Sequence, residues 1–232
     1  MKNITTIFDK SMKMSDLIDA DYRLLLLLMR LNIPLGFGDK TVDKVCEENG
    51  FDADCFIFLV NFQSSQSIIN IHEEFESLPL MPFLTYLNNS HTYFLEDRLP
   101  NIRRKLKLVF SEDEKEVCEV VLGFFDKYVD EVNDHMMYED EVAFPYIKKL
   151  IGKEDTGDYN ISMFEERHND IDEKMNDLKR ILMKYVSGLK NQVLITNILI
   201  ELYMTQEELA AHTFIEDELV IPRIKNMEGK RL

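Results

Sequence analysis

Glu131 and Glu208 each open the same eleven-residue pattern, Glu-x-x-x-His-x-x-x-Glu-Asp-Glu, and in each copy a proline follows ten residues after the histidine, at Pro145 and Pro222. The copies lie 77 residues apart, and the same offset joins His91 to His168, so four of the five histidines keep one internal period. On a helix, residues four apart stack on one face. Glu131, His135 and Glu139 therefore form one polar stripe, and Glu208, His212 and Glu216 another. In a duplicated helical hairpin, inward-facing copies converge near an approximate two-fold axis. Four imidazoles (His91, His135, His168, His212) and two carboxylates (Glu139, Glu216) would meet there.

A site rich in nitrogen, with few carboxylates and no thiolate, suits iron, manganese or zinc better than copper(I) or calcium. Each glutamate can bridge two ions through its two oxygens, at the ~3.5–4 Å metal separation of dinuclear centres. A dinuclear site is the expectation. With two histidines per ion and both glutamates shared, each metal would have four protein ligands, leaving positions for an oxo or hydroxo bridge and a small exogenous molecule. Ferritin-like di-iron bundles use Glu-x-x-His with isolated glutamates, and zinc proteases use His-Glu-x-x-His. Neither pattern fits.

Glu131 and Glu208, one turn before a histidine, could accept from an imidazole N–H and set its tautomer, line a channel, or be solvated helix charges. Asp140, Glu141, Asp217 and Glu218 are also repeated, and their positions suggest outward-facing charge. Tyr93, Tyr138 and Tyr203 read as core packing before hydrogen bonding to a centre. Met136, Met137 and Met204 read as core filler, and His72 as a surface histidine.

These residues need long helices to hold them. The chain has 232 residues, 45% hydrophobic and 30% charged, without Trp and poor in Gly and Pro; this composition predicts an all-α protein. Residues 1–64 predict a small helical N-terminal domain: an apolar helical run from Met14 to Leu31, a Gly/Pro break, and helices over Thr41 to Asn49 and Ala53 to Phe62. A polar linker is expected over 65–77. From 78 to 232, four long segments with short connections predict an antiparallel up-down-up-down four-helix bundle. Their ranges are about Pro82 to Phe110, with Pro100 kinking or dividing it, Ser111 to Leu150, Ser162 to Val186, and Gln192 to Asn226. Ser111-Glu112-Asp113-Glu114 and Ser162-Met163-Phe164-Glu165 match capping boxes.

The net charge of −16 argues against nucleic-acid binding, which draws on Lys and Arg. The run Leu24 to Met29 falls far short of the ~20 residues that span a bilayer, and no signal-peptide pattern is present, so no membrane association is expected. Three scattered cysteines without Cys-x-x-Cys suit the reducing cytoplasm.

The elements His91, His135-Met-Met-Tyr-Glu139 with Phe144-Pro145, Glu166-Arg167-His168, and His212-Thr-Phe-Ile-Glu216 with Ile221-Pro222 resemble the haemerythrin-like cation-binding proteins. Within them, these elements resemble the repair-of-iron-centres di-iron proteins. It implies that His91, His135, Glu139, His168, His212 and Glu216 hold two iron ions, ahead of manganese or zinc, with the carboxylates bridging. Oxygen-carrying haemerythrins have an extra His-x-x-x-His and an aspartate ligand, which are absent here. The N-terminal residues Leu31-Asn32-Ile33, Gly38-Asp39-Lys40-Thr41-Val42 and Cys46-Glu47-Glu48-Asn49-Gly50 resemble the small domain that precedes the bundle in the repair proteins, with Leu35-Gly36 where that family often carries Cys-Cys. The resemblance implies a role in nitrosative and oxidative stress, helping to restore iron–sulfur clusters. Nitric oxide, oxygen and iron–sulfur proteins are the implied partners, and dimerisation is left open. The alternative is an oxygen or nitric oxide sensor without turnover. A zinc hydrolase ranks third.

Overall fold

The computed structural model describes residues 8–64, 70–110, 114–165, 172–184 and 191–230. Apart from one isolated bridge, Lys13 to Thr41, the described residues contain helices and no strands. They divide into two compact units, Met1–Ser90 and His91–Leu232.

The first unit carries α1 (Met14–Ala20), α2 (Leu24–Arg30), α3 (Val42–Glu48), α4 (Ala53–Gln63), α5 (Ile71–Ser77) and most of α6 (Met81–Thr92). The run from Met14 to Leu31 is two helices. Asp21 adopts extended backbone and its carboxylate accepts from the Arg23 N–H (3.1 Å), a local bond that competes with the helix ladder and restarts it. Thr41 and Asp52 cap α3 and α4 by accepting from the N–H groups of Lys44 (3.3 Å) and Cys55 (2.9 Å). Gly50 ends α3 at φ +68°, where a Cβ would be strained. The expected linker contains α5, whose Phe75 packs against Phe58 and Phe83 with ring centroids 5.8 and 4.7 Å away.

The second unit is built on α7 (Leu99–Val109), α8 (Lys115–Tyr138), α11 (Asp172–Lys184) and α12 (Gln192–Phe214), with the shorter α9 (Phe144–Ile151), α10 (Ser162–Glu165) and α13 (Ile221–Gly229). In α8 the buried residues Val121, Phe125, Tyr128, Val132 and Met136 recur every three to four positions, one helical face turned to the core. Packing runs α7 to α8 to α11 to α12 and back to α7, a closed ring of four. Neighbours run antiparallel. Arg98 reaches Thr205 (2.9 Å) while Lys105 reaches Glu201, and His91 meets Asp140 (2.8 Å) while Arg103 meets Asp126 (2.6 Å). Likewise Lys179 reaches Gln206 and Tyr203 lies beside Met183.

Three prolines interrupt these helices without ending them. Pro100, Pro145 and Pro222 each sit within the first two positions of a helix that follows a π-helical turn, at Tyr93–Arg98, Glu139–Ala143 and Ile215–Val220. A proline ring clashes with the carbonyl four residues back and offers no N–H. Widening one turn displaces that carbonyl and lets the helix run on, and such turns concentrate at functional sites. The expected kink or break at Pro100 is thus a wide turn instead.

The first capping box, Ser111 to Glu114, lies outside the described residues in all but Glu114. At α10 the turn is held by Asn160, whose side-chain oxygen accepts from the Ser162 N–H (3.1 Å), and Glu165 pairs with Lys225 (2.6 Å) rather than closing a box.

Candidate metal centre

The wide turns lie where the chemistry is. His91 stands in the last turn of α6, just before the first of them; His135 and His212 stand in the last turns of α8 and α12, and the next two wide turns present Glu139 and Glu216. His135 and His212 each lie four positions before their glutamate, so histidine and glutamate project inward from one face.

The structure brings His91, His135, Glu139, His212 and Glu216 together. His91 Nε2 lies 3.1 Å from His212 Nε2 and 3.0 Å from Glu139 Oε2. Glu139 Oε1 lies 3.1 Å from His135 Nε2, and Glu216 Oε1 lies 3.1 Å from His212 Nε2. Donor atoms from His91, Glu139, His212 and Glu216 fall within 4.8 Å of one another, and none of these residues is more than 2% exposed. His168 lies outside the described residues.

Charge at this depth needs compensation. An ionised carboxylate taken out of water costs several kcal/mol unless it is paired or bound to metal, and two occur side by side. Burial by itself would depress the His91 imidazole. The Asp140 and Glu139 carboxylates, hydrogen-bonded to its two nitrogens, outweigh that and raise it to about 9, so without metal His91 is a cation among acids. The donor set fits a metal ion: imidazole nitrogens and carboxylate oxygens aimed at one small volume.

Aromatic rings wall the cluster. Phe144 stacks on His91 (centroids 5.4 Å, planes 16° apart), Phe94 meets His212 edge-on (6.2 Å, 89°), and Phe164 lies over His135 (6.5 Å, 26°). They keep the local dielectric low and hold the imidazoles in place.

Asp140 corrects one expectation. It does not face outward as a spectator: its Oδ1 takes the Nδ1–H of His91 at 2.8 Å, so that Nε2, turned to Glu139 and His212, is the nitrogen that would bind a metal once its proton is displaced. The repeat, which carries an aspartate after both glutamates, marks the position but not its partner. Glu131, conversely, pairs with Lys174 at the surface rather than with an imidazole. Glu208 is more enclosed, 3.5 Å from Arg98, whose Nε donates to Thr205. Tyr93 is buried in the core, Tyr138 meets Tyr159 through their hydroxyls (3.2 Å), and Tyr203 is exposed beneath the Lys179 ammonium (4.1 Å to the ring centre). Met136 is core and Met137 is exposed. His72 is exposed.

Among the described residues no helix is long and apolar enough to cross a membrane. The family model for the hemerythrin HHE cation binding domain matches residues 83–224, a span that includes every residue of the cluster. No curated protein matches the chain.

Proposed function

The chain belongs to the hemerythrin HHE cation-binding family, and from that premise we propose that it holds a non-haem di-iron centre and assists the repair of damaged iron–sulfur clusters under nitrosative and oxidative stress. The observation that carries the dinuclear part is the placement of Glu139. Its two oxygens reach imidazoles from different helices, Oε2 to His91 and Oε1 to His135, as a carboxylate shared between two ions must. Two nitrogens held ~2.1 Å from one ion are ~3.0–3.4 Å apart, and His91 and His212 meet that spacing at 3.1 Å. These two histidines are assigned to one ion and His135 to the other, with His168 its proposed companion by the 77-residue repeat. Glu216, beside His212, would be the second shared carboxylate. A bound di-iron pair would supply one-electron chemistry and coordination positions for a small diatomic molecule.

The protein's own residues prepare that site. Glu139 and Glu216 supply the negative charge that selects a multivalent cation. Asp140 fixes the His91 tautomer, and Phe94, Phe144 and Phe164 limit access by water. The repair role draws its support from the resemblance of both units to the repair-of-iron-centres proteins. With Leu35-Gly36 in place of a cysteine pair, no thiol step is assigned to the N-terminal unit. A cytoplasmic location suits three cysteines that form no disulfide.

The test is anaerobic titration of iron(II) into metal-free protein, with Mössbauer spectra before and after nitric oxide, and then reactivation of a nitric oxide-damaged [4Fe–4S] enzyme. Two coupled irons per chain and reactivation are expected. Reversible binding of nitric oxide without reactivation would move the function to sensing. A single weakly held iron, or zinc preferred without redox response, would refute the di-iron reading.

A further inference from the structure

A row of aromatic rings leads away from the metal cluster on the side of His135. Phe164 of α10 lies over the His135 imidazole (centroids 6.5 Å, planes 26° apart) and stacks in turn on Tyr138, the last residue of α8 (6.4 Å, 16°). The Tyr138 hydroxyl meets that of Tyr159 at 3.2 Å, and the Tyr159 ring meets Tyr146 of α9 edge-on at 4.8 Å. Tyr146 is buried. Its hydroxyl donates to Glu228 of α13, whose Oε1 also accepts the Ile161 N–H (2.8 Å). Tyr159 and Glu228 are partly exposed, so the row runs from the cluster to solvent. Packing alone is served by phenylalanine, as where Phe58, Phe75 and Phe83 meet in the first unit. Here every ring beyond Phe164 carries a hydroxyl, and every hydroxyl meets a group that can exchange a proton with it. A phenol yields an electron far more readily when its proton has an acceptor at hand, because the oxidised phenol is a strong acid.

We propose that Tyr138, Tyr159 and Tyr146 form a one-electron relay between the metal centre and the surface, with Glu228 as the base that serves Tyr146. This relay rests on the di-iron reading. Its oxidant is hydrogen peroxide reaching the iron-loaded centre. An electron passes inward along the row; the O–H bond of Tyr146 breaks, the proton goes to Glu228 Oε1, and a neutral tyrosyl radical remains. Two such oxidations in succession supply two electrons, and with two protons from solvent one peroxide becomes two waters. Each radical then regains an electron from a thiol in solution and its proton from Glu228. Two thiols, having given up one electron and one proton each, join as a disulfide. The net change is one peroxide and two thiols to two waters and one disulfide. Drained in this way, oxidising equivalents are kept from neighbours such as Met136, 1% exposed and next to His135 in the chain, whose thioether would otherwise be open to oxidation.

The experiment loads the full chain with iron(II), adds hydrogen peroxide and freezes the mixture rapidly for electron paramagnetic resonance, with metal content and Mössbauer spectra taken on the same preparations. The parent is expected to show an organic radical whose hyperfine pattern collapses when the protein is made with ring-deuterated tyrosine. That signal should be lost in Tyr138→Phe, Tyr146→Phe and Glu228→Gln, and kept in Tyr203→Phe, a tyrosine outside the row. Glu228→Gln is the decisive variant. Its amide oxygen still accepts from Tyr146 and from the Ile161 N–H, so the packing is held, but it cannot take the proton. A full signal in Glu228→Gln would overturn the assignment of the base. An iron pair without a tyrosine radical, or a radical untouched by every substitution in the row, would overturn the relay alone. A parent that binds no iron pair would refute the di-iron reading, and the relay with it.

Discussion

Replacing Asp140 by alanine removes the acceptor for His91 Nδ1 and leaves every residue of the metal cluster in place. The bond is 2.8 Å long and charge-assisted, from an imidazole 1% exposed to a carboxylate 33% exposed. Such bonds contribute about 1.5–3 kcal/mol, and partial solvation of Asp140 moves the value to the lower end. About 1.5–2 kcal/mol corresponds to a 10–30-fold weaker metal affinity, within the 10–100-fold range for partners that orient a metal-bound histidine. Asp140→Asn keeps an acceptor oxygen and should lose less. The assay is competition with a chelator of known affinity, following metal transfer optically for the parent and both variants. Melting of the metal-free proteins is the control, since a merely structural defect would appear there first. An Asp140→Ala affinity within twofold of the parent would refute the idea that this carboxylate orients the ligand, as would equal losses for Ala and Asn.

Metal removal should lower the melting temperature of the second unit, because Glu139 and Glu216 stay buried at 0% and 1% exposure beside imidazoles; coincident melts with and without metal would contradict this. His91 titrates in the metal-free fold near 9 against 6.5 in the unfolded chain. Its protonation therefore stabilises the metal-free fold fully below about pH 6.5, and that contribution is lost as pH rises to 9. Metal must displace the same proton, so affinity should increase over this window and calorimetry at pH 7.5 should register proton release. Glu131→Gln should leave metal content unchanged, since that carboxylate pairs with Lys174, and a large loss would mean its role has been misread. Of the three thiols, Cys46 and Cys55 are fully buried, with burial pushing the Cys46 thiol up to about 12. Cys118 alone should react with a maleimide at pH 8 in the native state, checked by intact mass, and all three after denaturation.

Much of this was legible without coordinates because helix periodicity is local. The 3.6-residue repeat dictates that His135 and Glu139, or His212 and Glu216, share a face, and a duplication of 77 residues shows that one face matters twice. Composition marked the chain as all-helical, and the helices expected over Thr41 to Asn49 and Ala53 to Phe62 fall within a residue of α3 and α4. Proline was legible as a disturbance, but not its resolution. Whether a chain kinks, breaks or widens a turn depends on whether tertiary packing holds the helix together on both sides, as it does around Pro100, Pro145 and Pro222.

Pairings between helices were out of reach for the same reason. Nothing in local spacing says that Asp140, one step past a ligand candidate and seemingly on the outer side, lies against the imidazole of His91, 49 residues earlier. Nor does it say that Glu131 finds Lys174 while Glu208 finds Arg98, although the two glutamates are equivalent in sequence. The residue types, their faces and their doubling belong to the sequence, because backbone geometry fixes them within a few turns. Which of His91, His135 and His212 adjoin, which carboxylate lies between them and which side of α12 stays exposed were decided only when four helices closed into a ring, since those distances depend on packing across the chain.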